Sequence, residues 1–207
     1  MEQRQGLLFC PLETPRLYPN VVSLEQTHCT NDQVDLIAKL SRDVTFEFSV
    51  KDSFNSLPLD DIGFEPLFEA SWLWQDSQSR EPNEAGLFWK CIDVYQLPAW
   101  EAAWRGGDEQ AERTFPDCLL DDRCVSVLAG VDPELRIVAG VIAYEGAGVI
   151  GVTNAFGPEL PPFAVIAALI KEAPLVAYER GGILSSALRR GFSAAGQLKI
   201  WTRSSEG

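Results

Sequence analysis

The sequence predicts an α+β fold: a mixed, largely antiparallel sheet flanked by helices. Three observations lead there. Apolar runs at 124–131, 137–144 and 149–156 are separated only by Asp132-Pro133-Glu134 and Gly146-Ala147-Gly148. Strands joined by such short turns form an antiparallel meander. Residues 173–203 then read as strand, short helix, strand. A weaker version of that last pattern occurs earlier, at 44–74. The runs of the meander are apolar on both faces, so something must cover both sides of the sheet.

The chain has 207 residues, 46% of them hydrophobic, enough to bury a full core without disulfide or metal staples. Acidic residues number 30 against 17 basic, giving a net charge of −13. That balance argues against a nucleic-acid backbone or an anionic membrane as partner. It gives no help in attracting a polyphosphate. No apolar run is long enough for a membrane span, and the N-terminus lacks a signal-peptide pattern. Cys10, Cys29, Cys91, Cys118 and Cys124 stand at irregular spacings. An odd count without a framework predicts reduced thiols and a cytoplasmic protein.

Taken in order, residues 1–20 are expected to be mostly irregular, because Pro11, Pro15 and Pro19 interrupt them. A helix is predicted from Thr30, with Thr30 and Gln33 as a capping box and Val34, Ile37 and Leu40 as its apolar stripe. Val44, Phe46, Phe48 and Val50 alternate as the inner face of a strand. A short helix is expected over 58–64, ending near Gly63, and then an aromatic-rich strand over 67–74. Trp72 and Trp74 share a face if they lie on one strand. The polar stretch 75–85 is the best linker, which suggests units at 1–86 and 87–207.

A strand is predicted over 87–95. A helix comes next, with Pro98 at its first position, Trp100 and Trp104 one turn apart, and Gly106-Gly107 at its end. Residues 107–122 read as a loop or a broken second helix. After the meander, Phe163, Ile166, Ala167 and Ile170 mark a helix over 162–173. Pro174 stops it, 175–178 is a strand, and Gly181-Gly182 punctuate. Ile183, Leu184, Ala187 and Leu188 give the next helix its apolar side, with Gly191 as its C-terminal glycine. Leu198, Ile200 and Trp201 belong to the closing strand. Gly63-Phe64 and Gly191-Phe192 stand at matching places in 44–74 and 172–203, which predicts a partial duplication of one unit.

The order of elements from residue 87 onward, the words Val-Ala-Gly-Val-Ile-Ala-Tyr at 138–144 and the Gly191-Phe192…Gly196…Trp201 ending resemble the acyl-CoA N-acyltransferase (GNAT) superfamily. The resemblance implies a GNAT-like sheet, preceded by a truncated copy of its C-terminal half. It implies acetyl-CoA or another acyl-CoA as cofactor, with the pantetheine arm between strands 149–156 and 175–178. Val152, Asn154, Phe156 and Gly157 are then the cofactor-binding candidates. Asn154, in an otherwise apolar strand, also reads as a ladder or bulge position. The family's phosphate loop normally carries Gln/Arg-x-x-Gly-x-Gly/Ala. Here it reads Gly-Pro-Glu-Leu-Pro-Pro at 157–162. Its prolines lack N–H donors and Glu159 repels phosphate, so weak or no coenzyme binding is expected.

The resemblance also implies a Glu as base and a Tyr as proton donor to the leaving thiolate, and Glu179 and Tyr178 stand in the matching segment. A solvated charge and a strand-end aromatic are their structural alternatives. His28 and Cys29, adjacent in sequence, would point to opposite faces of a strand and so do not make a working pair. One His and scattered Cys give no zinc spacing. Two functions remain open: acyl transfer to a small-molecule or peptide amine, or a non-catalytic binding or interaction module on the same fold. The sequence leaves the oligomeric state open.

Overall fold

The short turns read from the sequence close hairpins in the computed structural model. It describes all of residues 1–207 except 16–17, 27–29, 77–86, 109–111, 159, 162 and 205–207. Eleven strands and four α-helices lie among the described residues. In order they are β1 (Glu2–Arg4), β2 (Leu7–Phe9), β3 (Val21–Ser23), α1 (Thr30–Leu40), β4 (Phe48–Asp52), β5 (Glu65–Gln75), β6 (Phe88–Cys91), α2 (Leu97–Trp104), β7 (Val125–Val131), β8 (Ile137–Gly146), β9 (Val149–Phe156), α3 (Phe163–Leu169), β10 (Leu175–Glu179), α4 (Gly181–Arg189) and β11 (Ser193–Arg203). The chain divides into one unit of residues 1–71 with 196–207, and a second of residues 72–195.

In the first unit the strand order is β1-β2-β3-β4-β11-β5. β3 and β4 are parallel, Val21 opposite Val50; β4 and β11 are antiparallel, Phe48 opposite Arg203. The apolar stripe of α1 contributes Leu36 and Ile37 to a core with Leu7, Phe9, Val21, Phe48, Val50, Phe64 and Trp201. The expected alternation holds: Phe48 and Val50 are fully buried, while Val44 and Phe46 are partly buried against the same core. The strand itself begins only at Phe48.

The described residues of 10–20 are irregular as expected, while Gln5 and Gly6, both at positive φ (54° and 70°), turn β1 directly into β2. Such a turn matches the twist of the strands it joins. Gln33 is no capping-box partner. It is buried, and its amide donates to the carbonyls of Gln5 (3.1 Å) and Glu25 (3.3 Å), fastening the hairpin to α1. Over 58–64 there is only a single 3-10 turn, Asp60–Ile62, closed by Gly63 at φ 86°.

In the second unit the order is β5-β10-β9-β8-β7-β6. β7, β8 and β9 form the expected antiparallel meander, with Leu128 opposite Val141 and Ala143 opposite Val152. One face packs against α3 and α4 through Leu128, Val141, Ile150, Leu175, Ile166 and Ala187. The other packs against α2 through Val127, Ala129, Ile142, Leu97 and Trp100. Trp100 is fully buried and donates to the Leu128 carbonyl at 2.9 Å. Its ring meets Phe115 and Phe156 edge-on.

Strand β6 is shorter than predicted. Asp93 and Gln96 bond each other's backbone N–H groups and turn the chain into α2. Helix α3 stops at Leu169 rather than 173. Ile170 and Lys171 both donate to the Ile166 carbonyl, and the residue before Pro174 is barred from helical geometry. Gly181 and Gly182 do not separate elements; they open α4. Residues 107–122 contain a 3-10 turn, Asp117–Asp121. Most of the proposed linker, and His28 with Cys29, lie outside the described residues.

Candidate functional site

The parallel partners β9 and β10 stay together for only three residue pairs, Ile150–Leu175, Gly151–Val176 and Val152–Ala177. Both strands then continue without pairing to each other, β9 to Phe156 and β10 to Glu179. The cause is visible on the other side of β9. Ile142 pairs with Thr153, but Gly140 pairs with Phe156, so three residues of β9 span two of β8. Asn154 sits within that bulge at φ 52°. An extra residue bends a strand away from its neighbour. The facing edges of β9 and β10 therefore offer backbone donors and acceptors that no ladder uses between them.

The four cofactor candidates fall on this edge with unequal roles. Val152 closes the last ladder pair, and its side chain is buried in the α3–α4 core. Asn154 marks the bulge. The Phe156 ring lies 5.2 Å from that of Trp100, edge-on. Gly157 turns the chain out of the sheet at φ 91°, and a Cβ there would stand 2.5 Å from the Val138 carbonyl oxygen.

Tyr178 and Glu179, beyond the parting, are not brought together, since neighbours in a strand face opposite sides. Tyr178 lies edge-on against Trp72, ring centroids 5.5 Å apart. Glu179 shares the parity of Leu175 and Ala177 and is half-buried. Burial pushes its carboxyl up to about 7. Glu145 is ion-paired to Lys171 at 2.5 Å. Trp72 belongs to the site through Tyr178; the alternation of Trp72 and Trp74 along the strand carried that signal.

After Gly157 the loop turns inward. Leu160 and Pro161 are buried, and Arg190 at the end of α4 donates to the Leu160 carbonyl at 3.2 Å. Glu159 and Pro162 lie outside the described residues. For the acyl-CoA that the resemblance implies, the residues fit in part. The opened strand edge suits the amide groups of a pantetheine arm, whereas Pro158 and Pro161 have no N–H for phosphate. Among the described residues no group of three or more His, Cys, Asp or Glu side chains could hold a metal ion.

No protein-family model and no curated protein matches the chain. Solved structures do match in fold. A GCN5-related N-acetyltransferase from Kribbella flavida is 12% identical with a TM-score of 0.60, over 88% of this chain and 80% of that one. A GCN5-related N-acetyltransferase from Sphaerobacter thermophilus is 11% identical with a TM-score of 0.60, over 90% and 73%. The N-myristoyltransferase of Saccharomyces cerevisiae, solved with bound myristoyl-CoA and inhibitors, is 10% identical with a TM-score of 0.53, over 89% and 60%. The chain has the acyl-CoA N-acyltransferase fold.

Proposed function

We propose that the chain is an acyl-CoA-dependent N-acyltransferase in which the phosphate contacts are degenerate and the strand edges carry the binding. The parting of β9 and β10 at Val152 and Ala177 is the observation that supports it. When bound, the cofactor supplies an acyl group as a thioester. Backbone groups of 152–156 hold the arm, and their N–H groups polarise the acyl carbonyl. A neutral amine forms the C–N bond as the C–S bond breaks. One proton leaves the nitrogen and one is returned to the thiolate. Tyr178 and Glu179 are the proton-handling candidates, one on each face of the sheet. The acceptor is a small-molecule or peptide amine, and free Cys10, Cys91, Cys118 and Cys124 suit a cytoplasmic setting.

Calorimetric titration with acetyl-CoA and with S-acetylpantetheine tests this. Losing two charge-assisted bonds to phosphate, at roughly 1.5–3 kcal/mol each, weakens binding by about two powers of ten or more. Both donors are therefore expected to bind weakly, within about tenfold of each other. Low-micromolar binding of acetyl-CoA alone would show a phosphate site elsewhere. No binding of either donor favours the second reading, a non-catalytic binding module, for which the proline-rich loop at 157–162 speaks. This reading keeps 44–74 as a partial duplicate of 172–203.

A further inference from the structure

Arg42 and Arg203 line a cavity of about 580 Å³ that belongs to the first unit alone. Its walls come from the residues between α1 and β4, the 3-10 turn before β5, and the end of β11. Carboxylates are plentiful in this chain, 30 acidic residues against 17 basic. Yet neither arginine pairs with one among the described residues. Glu65 is the one carboxylate among the lining residues, and it is exposed. Glu47, outside the lining, is occupied by the Thr202 hydroxyl, which donates to it at 2.7 Å. The lining thus carries two positive charges against one negative.

Neutral groups position Arg203 instead. Its Nη1 donates to the hydroxyl of buried Ser41 at 3.2 Å, and that hydroxyl in turn donates to the Ala38 carbonyl at 3.5 Å. The guanidinium lies over the Phe64 ring, 5.9 Å from its centroid. Such partners hold the side chain without cancelling its charge. A guanidinium has five N–H donors, and the Ser41 bond uses one. The planar fork that remains matches the paired oxygens of a carboxylate or phosphate. Arg42, exposed, adds a second positive charge. Val44, Phe46 and Ile62 are half-buried against the core and give the cavity an apolar side. Its volume falls within the roughly 300–1,000 Å³ of small-molecule sites, far more than a bare oxyanion needs.

We propose that this cavity binds a small organic anion, its carboxylate or phosphate head held by Arg203 and Arg42 and its apolar body against Val44, Phe46 and Ile62. The site does not rest on the acyl transfer proposed above.

The test is calorimetric titration of the full chain at low ionic strength with phenyl phosphate, benzoate, the neutral benzamide and inorganic phosphate, on wild type, Arg203→Gln and Arg42→Gln. Wild type is expected to bind phenyl phosphate or benzoate saturably and at least about tenfold tighter than benzamide, the increment of one charge-assisted hydrogen bond. The tighter of the two anions identifies the head group. Arg203→Gln is expected to lose about tenfold or more of that affinity. If that variant does not fold, the exposed Arg42→Gln carries the same expectation. No saturable binding of either aryl anion, benzamide binding as tightly as the anions, or unchanged affinity in the folded variants would overturn the site. Inorganic phosphate binding as tightly as phenyl phosphate would overturn the apolar body, and with it the organic ligand.

Discussion

Glycine serves opposite ends at two places in the second unit. At Gly140 an added methyl would run into the Trp100 and Phe156 rings, so Gly140→Ala is expected to destabilise by about 2 kcal/mol in urea unfolding. Gly151→Ala, with open space above it, is expected to be neutral or slightly stabilising in the same measurement. Glu179 is the other residue whose setting sets its behaviour. Its folded value of about 7 lies above the ordinary 4.5, so the unfolded chain ionises first and folding stability falls as pH rises from about 4.5 to about 7. Glu179→Gln removes that loss. Its thermal midpoint is expected to exceed that of wild type at pH 8 by about 2–4 °C, what 1 kcal/mol gives in a chain of this size, and to match it at pH 4. A variant without this difference would show that Glu179 is solvated.

At the scale of elements, α2 is tied to the segment after it by a buried carboxylate. Glu101 is fully buried, bonds Arg105, Arg113 at 2.6 Å and the Phe115 N–H at 3.2 Å, and also accepts from the Thr114 N–H. Burial alone would raise its value. The Thr114 bond, then Arg113, Phe115 and Arg105, outweigh burial and hold it below the usual carboxylate range. Stability from this group is therefore complete above pH 4.5 and is lost as pH falls through the lower folded value. Glu101→Gln leaves two arginines facing a neutral group and is expected to cost about 3 kcal/mol at pH 7. Its deficit should shrink in acid, which unfolding curves at pH 7 and pH 3 would reveal. A constant deficit would mean that packing, not charge, is what Glu101 supplies.

Across the whole molecule, each unit contains a parallel strand pair, β3–β4 in the first and β9–β10 in the second. The two pairs differ in how the chain continues past the last paired residues. After Val22–Lys51 the chain beside β4 is closed. Asp52, buried, accepts from the N–H groups of Ser56 (2.7 Å) and Leu57 (2.8 Å), and the Ser23 hydroxyl accepts from the Ser53 N–H at 2.8 Å. In the second unit the corresponding edges are left to part. At most one acyl-CoA or pantetheine arm per chain is therefore expected. A titration stoichiometry of two per chain would show that the β3–β4 pair also opens.

The sequence by itself determined what depends on near neighbours. Asp132-Pro133 and Gly146-Ala147-Gly148 turn the chain wherever they occur, so the meander was legible. Pro98 and Gly106 bound α2, and alternation assigned Phe48 and Val50 to a core. The resemblance drawn from element order reached the fold. What only tertiary structure decided involves partners far apart in the chain. Gln33 reads as a cap until Gln5 and Glu25 claim its amide. Glu179 reads as a solvated charge until the elements around it remove its water. Asn154 becomes a bulge because β8 fixes the register on one side of β9, and that bulge is what parts β9 from β10. Local propensity carries no information about these groups, because their energies are set by desolvation and by hydrogen bonds that exist only once the sheet has formed.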